Sequence, residues 1–253
     1  SIGIVPLCLV NALTYLAAAI METQIKTEEK YTERDTGGQK GIKMFLSDFK
    51  EGLGYLSGEK GLLAIALYFT VSSLVGGVTG VVTLPYFKSA FDNGEYIFML
   101  VWGMGSVSRV IAGAIHYKTK LPTHLKYAIA LVVYITTSLL EGFYLYLPIP
   151  VMMVFTFASG LLGMTSYNIR ISATQRYVPD EKKGRFNGVF GTLNTVGALA
   201  GEAAAGVLSL WGSDRAIVTV FELICLAAAI VFIGGGRREV EKIYNTEDAP
   251  AVE

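Results

Sequence analysis

An all-α, polytopic membrane helix bundle is the fold class this sequence predicts, and three observations carry it. Several windows of about 20 residues are almost free of charge, the length that crosses ~30 Å of hydrocarbon at 1.5 Å per residue. Short connections separate many of these windows, which makes successive spans antiparallel neighbours. Nineteen of the 21 Lys and Arg residues fall on alternate connections, the asymmetry that orients a multi-pass chain. Bulk composition says less. At 52% hydrophobic the chain barely exceeds the ~45–50% apolar content of soluble domains, and its mean hydropathy is +0.48.

Seven spans are expected, at residues 2–21, 61–84, 96–115, 127–147, 150–169, 186–211 and 216–235. The first is clipped: the chain opens inside an apolar run that lacks the basic n-region and cleavage site of a signal peptide. The chain therefore reads as a fragment of something longer. Residues 22–60 carry seven Lys/Arg and eight Asp/Glu and form a polar connector. Within it Met44, Phe45, Phe49, Leu53 and Leu56 recur at near-helical spacing, which predicts an amphipathic helix on the membrane surface.

The charge asymmetry places residues 22–60 in the cytoplasm, together with Arg109, Lys118, Lys120 and Lys126. The basic cluster Arg170, Arg176, Lys182, Lys183 and Arg185 joins them, as does the tail with Arg237, Arg238 and Lys242. Only Lys88 and Arg215 remain outside. The lipid bilayer is thus the first partner, the C-terminus is cytoplasmic, and residues 237–253 are a cytoplasmic tail. Acidic and basic residues balance at 21 each, so nothing points to nucleic acid. Cys8 and Cys225 fall in apolar windows, suit packing, and imply neither a disulfide nor a metal site. Gly76/Gly80 and Gly197/Gly201 have the spacing that lets helix backbones approach.

Three acids lie within spans: Glu141, Glu202 and Glu222. A charge at a helix centre costs ~2.5–3.5 kcal/mol on insertion scales, so such residues face a cavity or a partner. Glu141 and Glu222 sit about two turns from their outer ends and have simple alternatives, snorkelling outward or, for Glu222, pairing with Arg215. Glu202, in GALAGEAAAG, has less escape and is the first candidate for carrying a proton, ahead of a substrate contact or a structural hydrogen bond. Arg109 either snorkels inward or pairs with an acid at an inner gate. Asn11, Asn168 and Asn194 are polar enough to bond across helices, and His116 and His124 flank an inner loop as solvated residues. HExxH, paired CxxC, Walker A and GxSxG motifs are absent, and GGGRRE at 234–239 lacks the context of a phosphate loop. No enzyme activity, cofactor or metal is expected.

Several stretches resemble one family. NALTYLAAAI at 11–20 is similar to the last helix of the N-terminal half of major facilitator superfamily transporters, particularly the macrolide-efflux and multidrug exporter branch. FLSDFKEGLGYLSGEKGL at 45–62 resembles the entry from that branch's central loop into its C-terminal half. SATQRYVPDEKKGRFNGVFGTL at 172–193 is similar to a cytoplasmic loop of the same half, with Gln175, Pro179, Gly184 and Arg185 matching its pattern. The resemblance implies the sixth span (1–21), a central loop (22–60), the six-helix C-terminal half (61–236) and the tail. The N-terminal half of the same protein would then be missing. The stretch at 105–120 looks like a degenerate counterpart of the family's gating motif, without its acid.

What the resemblance implies is proton- or cation-gradient-driven efflux of hydrophobic or drug-like small molecules across the plasma membrane, by alternating access. Candidate coupling or substrate residues are Glu202, Glu222, Glu141 and Asn194. Candidate cytoplasmic gate or hinge residues are Arg109, Gln175, Pro179, Gly184 and Arg185. The rival readings are an uptake permease of the same fold, for a sugar, peptide fragment or lipid-like solute, and a non-transporting membrane scaffold or sensor.

Overall fold

A computed structural model describes residues 4–24, 41–119 and 121–246, and all its regular elements are helical. The chain divides into two units, residues 1–41 and 42–253. The first unit contains helix α1 (Ile4–Glu22), whose apolar stretch Cys8–Glu22 is shorter than a full span. Residues 25–40 of the predicted connector lie outside the described residues.

The second unit runs α2 (Ile42–Gly58), α3 (Lys60–Ala90), α4 (Gly94–Lys118), α5 (Lys126–Phe143), α6 (Ile149–Tyr177), α7 (Asp180–Leu208), α8 (Asp214–Ala228) and α9 (Arg237–Tyr244). A wide π-type segment, Ala229–Gly234, extends α8. Helices α3, α4 and α6 and the stretches Thr123–Tyr146 and Asp214–Gly234 are each long and apolar enough to cross a membrane. The expected span at 186–211 lies largely in α7, which ends at Leu208 and is not among these apolar helices. This helix matches α6 in length at 29 residues, but its glycines, alanines and Glu202 dilute its hydropathy. Large apolar side chains such as Val110, Leu199, Val207, Ile230 and Val231 point outward, as lipid-facing residues do.

Two helices overrun the expected spans. The α3 helix continues through Pro85 to Ala90, a breaker that apolar surroundings tolerate when neighbours satisfy the freed backbone groups. The α6 helix continues to Tyr177, about two turns past residue 169, so Asn168, Arg170 and Gln175 are helical. Pro179 ends it: Val178 is held extended (φ −77°, ψ 125°), as the residue before proline prefers. The Pro179 carbonyl then accepts from the Lys182 and Lys183 amides at 2.9 and 3.1 Å to open α7. Asp180 and Glu181 occupy the first turn, where the helix dipole favours acids.

Helix α3 is central, packed against α7, α8 and α4, while α4 and α6 form a second close pair. A Cβ on Gly77 would overlap the Ala198 carbonyl, and one on Gly201 would overlap the Leu74 carbonyl. A Cβ on Gly197 would lie 2.5 Å from the Thr70 carbonyl oxygen. Backbone touches backbone along this seam. The expected pair Gly197/Gly201 thus faces α3, but its counterpart is Gly77; Gly76 and Gly80 have nothing within 4 Å. His124 is exposed, as expected, whereas His116 is half-buried and its Nε2 meets Thr165 Oγ1 at 2.9 Å, tying α4 to α6.

Helix α9, at the start of the expected tail, is part of the core. Val240, Ile243 and Tyr244 are buried, the Tyr244 hydroxyl meets that of Tyr134 at 2.8 Å, and Asn245 Oδ1 accepts from the Tyr127 amide at 3.0 Å. The seam between α3 and α7 yields the first prediction. Gly201→Val should force the backbones apart and lower stability by about 1–3 kcal/mol, read as a drop in Tm in detergent. Gly80→Ala should leave Tm unchanged.

Candidate functional site

Between α3, α5, α6 and α8 lies a cavity of about 390 Å³. Its walls are small or hydroxylated side chains set at helical spacing inside otherwise apolar helices. Ser72, Ser73 and Gly76 come from α3, Thr137, Ser138 and Glu141 from α5, Gly163, Ser166, Tyr167 and Arg170 from α6, and Glu222 and Cys225 from α8. Asn194 of α7 and the rings of Tyr68, Phe69 and Tyr134 complete it. A second cavity of about 220 Å³ lies between α3, α4, α5 and α6, lined by Arg109, Trp102, Tyr144, Thr156 and Ser159. Gly76 and Glu141 line both, so Glu141 stands at the junction.

Glu222 is 4% exposed and sits opposite Glu141 at hydrogen-bonding reach. Gly142 makes this possible: a Cβ there would lie 3.1 Å from the Glu222 Cβ. One helical turn before Glu222, Thr219 Oγ1 donates to the Gly142 carbonyl at 2.7 Å and pins α8 to α5. Ser138 approaches the Glu222 carboxyl. Arg109 faces Glu141 from across the smaller cavity. A hydrogen bond between two carboxyl groups requires a proton on one of them, so this pair can hold and release a proton.

The two outward acids of the sequence reading are thus drawn inward. Glu222 does not pair with Arg215, which instead donates from Nε to the Tyr86 hydroxyl at 2.9 Å and lies over the Tyr86 and Tyr146 rings. Glu202 is exposed on α7 and lines neither cavity. Asn194 lines the larger cavity with its Oδ1 buried and unpartnered. Arg170, counted with the basic loop, lies within α6 and lines the cavity. The signal for it was present, because Gly163, Ser166, Tyr167 and Arg170 fall on one helical face.

The expected hinge residues gather elsewhere. Arg185 reaches α2, with Nη1 on Glu51 Oε1 and Nε 3.6 Å from Asp48 Oδ1. Gly52 lets α2 approach, since a Cβ there would lie 2.7 Å from Val189 Cγ2. Gln175 donates to Asn187 Oδ1 at 3.2 Å across the Pro179 turn, and Gly184 has nothing within 4 Å of its Cβ position. The amphipathic helix therefore sits on α7, burying Gly52 and Leu56 while Phe45, Leu46 and Leu53 stay exposed. Among the described residues no cluster of His, Cys, Asp and Glu could hold a metal ion. Arg185→Ala should loosen this helix. Because the ion pairs are part-exposed, the loss should be about 0.5–1 kcal/mol, read as a two- to fivefold faster amide exchange across residues 42–58.

A family model described as Major Facilitator Superfamily matches residues 2–201. No curated protein and no solved structure matches the chain.

Proposed function

This chain belongs to the major facilitator superfamily, and we propose that it is the C-terminal half, with the preceding helix, of a proton-coupled secondary transporter. The observation that carries the coupling is the carboxyl pair Glu141–Glu222 at the meeting of two cavities. Transport by alternating access needs a site whose affinity differs between two global states. A pair set between α5 and α8, with Glu222 buried and Glu141 half-buried at the junction of two cavities, meets that need, because a small displacement of either helix separates the carboxyls and changes their hold on a shared proton. Arg109 faces Glu141 across the smaller cavity, a cation that the same displacement would bring toward the pair or away from it. The hinge around Arg185 and α2 then couples the C-terminal half to the loop that precedes it, on the cytoplasmic face.

Export of small hydrophobic or drug-like molecules across the plasma membrane is the first reading, and it rests on the resemblance of residues 45–62 and 172–193 to the exporter branch. A second reading, uptake with a co-transported proton, is favoured by Arg170 in the same cavity. A cavity that carries a cation and a protonatable pair can take an anion and a proton together.

Both readings place the proton on the same pair, so one experiment tests it. With the full-length protein in proteoliposomes and an imposed pH gradient, Glu222→Gln should abolish gradient-driven movement of substrate, a loss of at least about tenfold, while downhill exchange persists. Glu202→Gln should remain coupled. Coupling that survives Glu222→Gln and fails in Glu202→Gln would return the proton to α7.

A further inference from the structure

Arg170 is a cation that the carboxyl pair does not use. Its guanidinium carbon lies 4.9 Å from the Phe69 ring centroid, 4.9 Å from that of Phe190 and 5.5 Å from that of Tyr167. Such contacts hold a guanidinium through its charge and its flat faces and leave its N–H donors to be satisfied by acceptors. The Nε–H is buried without a partner, and among the described residues no carboxylate is among the groups acting on the guanidinium. The acids of the same cavity are engaged with each other.

Two further polar atoms there are buried and unpartnered, Asn194 Oδ1 and Thr137 Oγ1. Buried polar atoms are ordinarily satisfied. A cavity of about 390 Å³ is within the ~300–1,000 Å³ range of small-molecule sites. Orphaned donors and acceptors in a space of that size, beside aromatic walls, describe the complement of a ligand.

We propose that this cavity takes an amphipathic organic anion: an apolar ring body bearing a carboxylate or phosphoryl group, whose oxygens dock on the guanidinium of Arg170 through its unpartnered Nε–H and whose own donor meets Asn194 Oδ1. The planar fork of arginine suits either oxyanion. The proposal rests on the reading of this cavity as the transport site.

The test is equilibrium binding of three probes to the full-length protein in detergent: 2-naphthoate, 2-naphthyl phosphate and the neutral methyl 2-naphthoate. At least one anion should bind about tenfold or more tightly than the ester, and the better of the two tells an organic acid from a lipid-like phosphoryl group. Arg170→Gln should bring the anions down to the affinity of the ester, and Arg170→Lys, which keeps the charge without the fork, should recover part of the preference. Because Arg170→Gln could misfold, the Lys variant and the elution profile of both serve as folding controls. Equal binding of anion and ester, no binding of either anion, or an anion preference that survives in folded Arg170→Gln overturns the proposal. Ser73→Trp, which fills the cavity, separates this failure from that of the site itself. If it blocks a probe that shows no anion preference, the cavity stands and the anion falls; if binding is untouched, the ligand lies elsewhere.

Discussion

Two carboxyl groups held inside an apolar bundle are the constraint on which the rest of this structure depends. An isolated charge in that setting would cost several kcal/mol, and the fold answers by bringing Glu141 and Glu222 within reach of each other. That meeting needs α5 and α8 close together, and Gly142 and the Thr219 hydroxyl bond supply the approach. It also needs polar walls, which explains why serines, threonines and tyrosines of α3, α5 and α6 converge here. The close glycine seam of α3 on α7 sits elsewhere on α3, so rigid packing and polar cavity occupy different faces of one helix.

The ends of the bundle are built differently. At one end Arg215 stacks on Tyr86 and Tyr146, and the Tyr86 hydroxyl donates to the Leu145 carbonyl at 3.0 Å, a cation held by rings and a hydroxyl. At the other, α2 is tied to α7 through Arg185, Asp48 and Glu51, and α9 inserts Tyr244 against Tyr134. Tyr134 also lines the larger cavity, so α9 connects the polar interior to the end of the bundle that carries most of the Lys and Arg residues.

The helical architecture was legible because charge segregation over about 20 residues is a long-range signal that local irregularities do not erase. Helix ends were harder. Pro85 did not stop α3, and α6 ran on to Tyr177, because a bundle supplies packing that overrides local breakers. The site was half legible: Glu141 and Glu222 stood out as acids in apolar windows, but their partner could not be read. Distance along the chain, 81 positions apart, says nothing of adjacency between α5 and α8. Glu202 looked the most confined by its small neighbours, yet those neighbours serve the α3 seam through Gly197 and Gly201, and its own side chain faces outward. Arg170 was masked by being grouped with the loop that follows it.

Infrared difference spectroscopy of the full-length protein tests the proposed sharing of a proton most directly. A protonated carboxyl band sensitive to D₂O is predicted near neutral pH, and either Glu141→Gln or Glu222→Gln should shift or remove it. A wild-type protein without that band, or a band that neither substitution disturbs, would contradict the pairing of Glu141 with Glu222 as the proton site.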